Sequence, residues 1–179
     1  EDYFEPAIHI RHNDYNSSLL LKYVDHSSNN TGNGINETVI TLKDDKYPVT
    51  VKLHYVAYDK ENIIRTFTEI SHEEKKPVIL SKYASSMLHL NSSKYFLTEF
   101  SGDWAHEANV TERELAFGKK VIDTKLGARA NMFVSPFFQL ALDNPSQENA
   151  GEVLVGTIGW TGNFRFTFEV DNKNELRII

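Results

Sequence analysis

Apolar and polar residues alternate along nearly all of this 179-residue chain, and helical spacing is almost absent. A period of two sends successive side chains to opposite faces of a strand, so such a chain buries its apolar half by stacking sheets. In "YPVTVKLHYVAY", Val49, Val51, Leu53 and Tyr55 share one face. The polar turn "YDKEN" leads into "NIIRTFTEI", and "SHEEKKP" leads into "VILSKYASSMLHL", which predicts three long strands in a meander. "PAIHIRH", "SLLLKYV", "KYFLTEFS", "PFFQLAL", "EVLVGTIGW" and "FRFTFEV" continue the pattern, so about a dozen strands are expected. "DHSSNNTGNGINE" reads as a surface loop from its Asn, Ser and Gly. The expected class is all-β: a large, mostly antiparallel β-sandwich forming one domain over residues 1–179.

Composition removes several function classes. The net charge of -6 leaves no basic face for a phosphate backbone, so nucleic acid is not an expected partner. No apolar run reaches the roughly 18 residues of a bilayer-spanning helix, and no membrane partner is expected. With no cysteine, the chain has no disulfide, no Cys-based zinc site and no thiol nucleophile. Its compartment stays open, cytoplasmic or periplasmic. The chain opens on "EDYFEPAIHI" without Met and closes on the strand-like "ELRII", so a piece of a longer protein is expected.

Catalytic and metal constellations are weak. Asp103 and Glu107 in "SGDWAHEAN" are the best carboxylate pair for glycoside chemistry, which needs two carboxyls about 5 Å apart in a retaining enzyme. Acidic groups in a polar loop are ordinarily solvated, and no catalytic residue is expected. His9 and His12 fall on opposite faces of a strand, and His54, His72, His89 and His106 are scattered, so no metal site is expected. No G-x-S-x-G elbow is present, and "TGNG" lacks the following helix of a phosphate loop. Five N-x-[ST] tripeptides, at Asn16, Asn29, Asn36, Asn91 and Asn109, read as loop chemistry in an Asn-rich chain.

The aromatics divide. Phe164, Phe166 and Phe168 alternate along one strand, and a row of three rings on one face is expected to be core. Trp160 stands beside the Thr161-Gly162-Asn163 turn, and Trp104 lies in a loop between strands. A Trp in either setting offers a flat apolar face to a sugar or to a neighbouring domain.

Several stretches, in order and at about the expected spacing, resemble the N-terminal domain of family 36 glycoside hydrolases, the bacterial-type α-galactosidases. They are "DYFEPAIHIRH", "LLLKYVDH", the meander from "YPVTVKLHYVAY" to "ASSMLHL", "SGDWAHEANVTERELAFGKKVIDTKLGARA", and "SPFFQLAL" with "ENAGEVLVGTIGWTGNFRFTFEVD". Together they cover essentially the whole chain. The resemblance implies a supersandwich of the galactose-mutarotase type, packed on a following (β/α)8 barrel that carries both catalytic aspartates. It implies a retaining hydrolase that removes terminal α-linked galactose from oligosaccharides without a cofactor, in relatives that often form tetramers, and a bacterial source. This chain alone is then expected to be inactive, supporting the barrel, oligomerisation and one wall of the sugar site.

Asp2 matches the acidic residue of the family's opening motif, which makes it a substrate-binding candidate beside Trp104 and Trp160. The sequence departs from the family at Phe4, where Arg is usual, and at "NMFVSPFF", where many members carry a His-rich run. Two other readings compete: a free-standing carbohydrate-binding module that stacks sugars on Trp104 and Trp160, and a purely structural domain with an apolar contact surface.

Overall fold

A computed structural model describes residues 5–130 and 132–179. Fourteen strands and one 3-10 turn, Gly127–Arg129, make up its regular structure, and every paired strand runs antiparallel. No helix among the described residues is long and apolar enough to cross a bilayer. The chain divides into two compact units, Glu5–Ser86 and Met87–Ile179.

In Glu5–Ser86 the strands β2 (Leu21–Gly32), β3 (Ile35–Asp44), β4 (Val49–Tyr58) and β5 (Ile63–His72) form a sheet in chain order. β1 (Ile8–Arg11) pairs with β6 (Ile79–Tyr83) in a second, two-stranded sheet. The alternation expected of β4 is present, with Val49 and Val51 buried and joined by Ile10 from β1. Leu21, Leu42, Leu53 and Ile70 pack around them, each lying on the same face as its cross-strand neighbour. Tyr55, on that face but further along the hairpin, is exposed.

A buried polar pin closes this unit. The His12 ring stacks on Tyr47 with centroids 3.5 Å apart. Its Nδ1 meets Glu74 Oε1 at 2.6 Å and its Nε2 meets the Ser18 carbonyl at 2.9 Å. Glu74 also accepts the Asn13 N–H and side-chain amide, so one carboxylate ties the turn after β1 to the segment after β5.

Met87–Ile179 is a sandwich of two four-stranded sheets. One has the order β10 (Gly118–Thr124), β13 (Phe164–Val170), β14 (Glu175–Ile178), β7 (Leu88–Asn91). The other has the order β12 (Glu152–Thr157), β11 (Val134–Leu142), β8 (Tyr95–Ser101), β9 (Asn109–Glu114). One core lies between them. Phe164, Phe166, Phe168 and Val170 of β13 face Leu97 of β8 and Phe138 and Leu140 of β11. Phe138 crosses the gap edge-on to Phe166 (centroids 5.0 Å) and to Phe168 (4.9 Å), the arrangement the ring quadrupoles favour. The Phe row is therefore core, as its alternation requires.

Two stretches differ from their sequence reading. "DHSSNNTGNGINE" is mostly strand: β2 runs to Gly32 and β3 starts at Ile35, leaving only Asn33 and Gly34 as the turn. The β2 side chains from Lys22 onward are exposed, so their polarity records solvent exposure rather than irregular backbone. "VILSKYASSMLHL" is not one strand but β6 and β7, which belong to different sheets and different units. The small polar run Ala84-Ser85-Ser86 marks the break.

Candidate functional site

At one rim of the Met87–Ile179 sandwich the register brings four strand ends together. Val134 at the start of β11 lies opposite Ser101 at the end of β8, and Ser101 lies opposite Asn109 at the start of β9. Thr157 ends β12 opposite Phe137. The connections leaving these ends carry Trp104, Met132, Phe133 and Trp160, all exposed. Thr124, at the end of β10, pairs with Phe164, where β13 begins, and the 158–163 segment joins the two sheets there.

Trp104 sits at the tip of a closed loop. Asp103 and His106 exchange backbone hydrogen bonds of 3.2 and 2.9 Å, and Gly102 N–H donates to the Phe133 carbonyl. A Cβ on Gly102 would lie 2.9 Å from the Glu107 Cα and the His106 oxygen, so only glycine lets the loop fold back this tightly. Ala105 and Ala108 both take positive φ, a conformation costly to a residue with a Cβ. The product is an indole 85% exposed.

Trp160 is held differently. A Cβ on Gly162 would clash with the indole, 2.8 Å from Cε2 and nearer still to Nε1, so the turn backbone lies directly against the ring. The remainder of the ring, 63% exposed as a residue, lines a cavity of about 140 Å³ with Ala128, Ala130, Pro136 and Thr161. The opposite wall is tethered: Asn163 Oδ1 accepts the Gly127 N–H at 2.8 Å, which fixes the 3-10 turn preceding Ala130.

A second cavity of about 210 Å³ opens beside β8 and β10, lined by Glu99, Ser101, Lys120, Asp123 and apolar neighbours. Its charges are paired. Glu99 receives Arg113 at 2.7 Å and Lys120 at 2.9 Å, and Asp123 receives Arg165 at 2.9 Å.

The other sequence candidates separate in space and in role. Asp2 and Phe4 lie outside the described residues. Asp103 Oδ1 accepts its neighbour's N–H, from Trp104, and Glu107 Oε1 accepts that of Ala105, so this carboxylate pair builds a loop. His9 on β1 is exposed, while His12, just beyond the end of that strand, is buried. His54 stacks on Phe67 and meets Glu37 at 3.0 Å. Among the described residues no three His, Asp or Glu gather as a metal site would need. The sequence reading brought out Trp160 but not the residues that build its cavity. The legible signal is the four-residue run itself: ring, hydroxyl, glycine and amide, each used.

Comparison with known proteins places the chain. The family model described as the glycosyl hydrolase family 36 N-terminal domain matches residues 1–179. The chain is 28% identical over 192 residues to alpha-galactosidase 2 of Pediococcus pentosaceus, covering 99% of the chain and 26% of that protein. It is 24% identical to probable alpha-galactosidase G of Aspergillus terreus, again over 99% of the chain and 26% of the relative. Among solved structures, GH36 alpha-galactosidase AgaA from Geobacillus stearothermophilus superposes with a TM-score of 0.82 at 24% identity, over 99% of this chain and 26% of that one. The alpha-galactosidase from Lactobacillus brevis gives 0.82 at 22% identity, over 99% and 25%. At these identities the structural likeness shows the fold, a β-sandwich. The chain spans about a quarter of the length of the relatives it matches.

Proposed function

The chain belongs to the glycosyl hydrolase family 36 N-terminal domain family, and from that membership we propose that it is the non-catalytic N-terminal domain of an α-galactosidase. The longer protein would be a retaining hydrolase that removes terminal α-linked galactose from oligosaccharides. The match over residues 1–179, in relatives about four times as long, carries this reading. A downstream catalytic barrel would supply the nucleophile and the general acid/base. The residues seen here accord with that division, since the Asp103 and Glu107 carboxylates are spent on loop backbone. The domain would support the barrel, take part in a homo-oligomer, and contribute Asp2, Trp104 and Trp160 to the surroundings of the sugar.

The test is to express the reading frame beyond Ile179 and assay galactose release from melibiose and raffinose, following the anomer of the first product by proton NMR. Release of α-galactose by the longer protein, with none from the 179-residue chain, is the expected result. A longer protein that leaves both sugars intact overturns the reading.

A second reading, a carbohydrate-binding module acting by itself, is favoured by one observation: both tryptophans of the chain are exposed at the same rim.

A further inference from the structure

The run Trp160-Thr161-Gly162-Asn163 is built like a socket. The indole is the floor, seated against Gly162, where any side chain would displace it. Thr161 adds a hydroxyl to the lining. Ala128, Ala130 and Pro136 make small apolar walls, and the Asn163 side chain holds the segment that carries the two alanines through the Gly127 N–H. About 140 Å³ is open beside the ring, well below the roughly 300 Å³ at which pockets for drug-sized ligands begin. One small ring fits; an extended oligosaccharide does not. Among the described residues no ionisable side chain lines the cavity, which suits a neutral occupant.

We propose that this cavity is a subsite for a single galactopyranose ring, with the sugar's apolar face on Trp160 and one of its hydroxyls on Thr161. Galactose suits such a floor because its axial O4 leaves the C–H bonds of C3, C4, C5 and C6 together on one face. Glucose, with all hydroxyls equatorial, has no equally continuous apolar face. The choice of galactose rests on the reading of the longer protein as an α-galactosidase; the socket itself rests only on residues of this chain. Trp104, which lines neither cavity, is not part of it.

The two tryptophans give two indole N–H signals in a 15N-correlated NMR spectrum, assigned with Trp104→Phe and Trp160→Phe. The 179-residue chain is titrated with methyl α-galactoside and, in parallel, with methyl α-glucoside. The expected result is a saturable shift of the Trp160 signal, with an apparent Kd on the order of 1–10 mM for the galactoside and weaker binding of the glucoside. Loss of the ring stacking in Trp160→Ala should weaken binding about two- to tenfold. Gly162→Ala, which unseats the ring, should weaken it too. A Trp160 signal that never saturates overturns the proposal, as do equal shifts at both tryptophans or equal affinity for the two sugars. The assay of the longer protein decides separately. An active longer protein with a flat titration sinks the subsite alone, and an inactive one beside a saturating titration sinks the α-galactosidase reading alone.

Discussion

Gly156 shows how a missing side chain organises a core. It lies opposite Phe138 in the β11–β12 register, and a Cβ there would overlap the edge of the Phe138 ring, 3.1 Å from Cδ1 and closer to Cε1 and Cζ. The ring therefore lies over glycine, which leaves it aimed edge-on at Phe166 and Phe168. We expect Gly156→Ala to destabilise the protein by about 1–3 kcal/mol by forcing Phe138 off its position, read as a lower midpoint in urea unfolding with an unchanged m-value. At this scale the sequence was legible where one rule applied. Alternation placed Phe164, Phe166 and Phe168 inside, and turn proximity marked Trp160. The pairings of Gly156 with Phe138 and of Gly162 with Trp160 were not legible, because each depends on which atoms the fold brings against a bare Cα.

At the scale of an element, the β2–β3 hairpin turns on two residues. Asn33 and Gly34 have φ of 56° and 80°, the backbone of a type I′ turn, whose twist matches the flanking strands. A Cβ on Gly34 would meet only ordinary contacts, the nearest 3.6 Å away on Asp59, so its conformation alone sets the cost of replacement. Gly34→Ala should lose about 1 kcal/mol, seen as a lower melting temperature, while Asn33→Gly should stay near neutral. The strong meander strands β4 and β5 were readable from alternation and short polar turns. β9 was not, because all six of its side chains are exposed and no inward face imposes a pattern. The break between β6 and β7 was also hidden, since small polar residues interrupt a strand without a proline or glycine to announce it.

Across the whole molecule, carboxylates held by hydrogen bonds couple both units to pH. Asp143 is lowered by the Ser92 hydroxyl and then by the N–H and hydroxyl of Ser93. Asp171 is lowered by the Glu175 N–H, and by Lys173 N–H and Arg177 against the opposing effect of burial. Burial pushes Asp44 up, but the N–H groups of Leu20, Tyr47 and Lys46 outweigh it and leave it lowered. Groups whose folded values sit below the ordinary 3.8 bind fewer protons folded than unfolded. Their contribution is complete above that value and is lost as pH falls through the folded ones. Stability should therefore decline on acidification from about pH 5 to about pH 3, measured as the urea midpoint. Asp143→Asn should flatten that decline. The fold class and the family were legible over the whole chain, because alternation and an ordered series of short motifs survive without any single decisive residue. The Trp160 socket was not, because its walls come from three separate segments of chain.

The polar β2 strand has one last consequence. Among the described residues it is the terminal strand of its sheet and leaves a line of backbone donors and acceptors with no neighbouring strand in that sheet. Val, Ile and aromatic residues on such a border would invite other chains to add on as further strands and begin a fibril. Beyond the exposed Tyr23 and Val24, Ser27, Ser28, Asn29, Asn30 and Thr31 instead keep its outer half hydrated. The stretch that reads as disorganised is thus composed in a way that disfavours edge-to-edge addition of other chains.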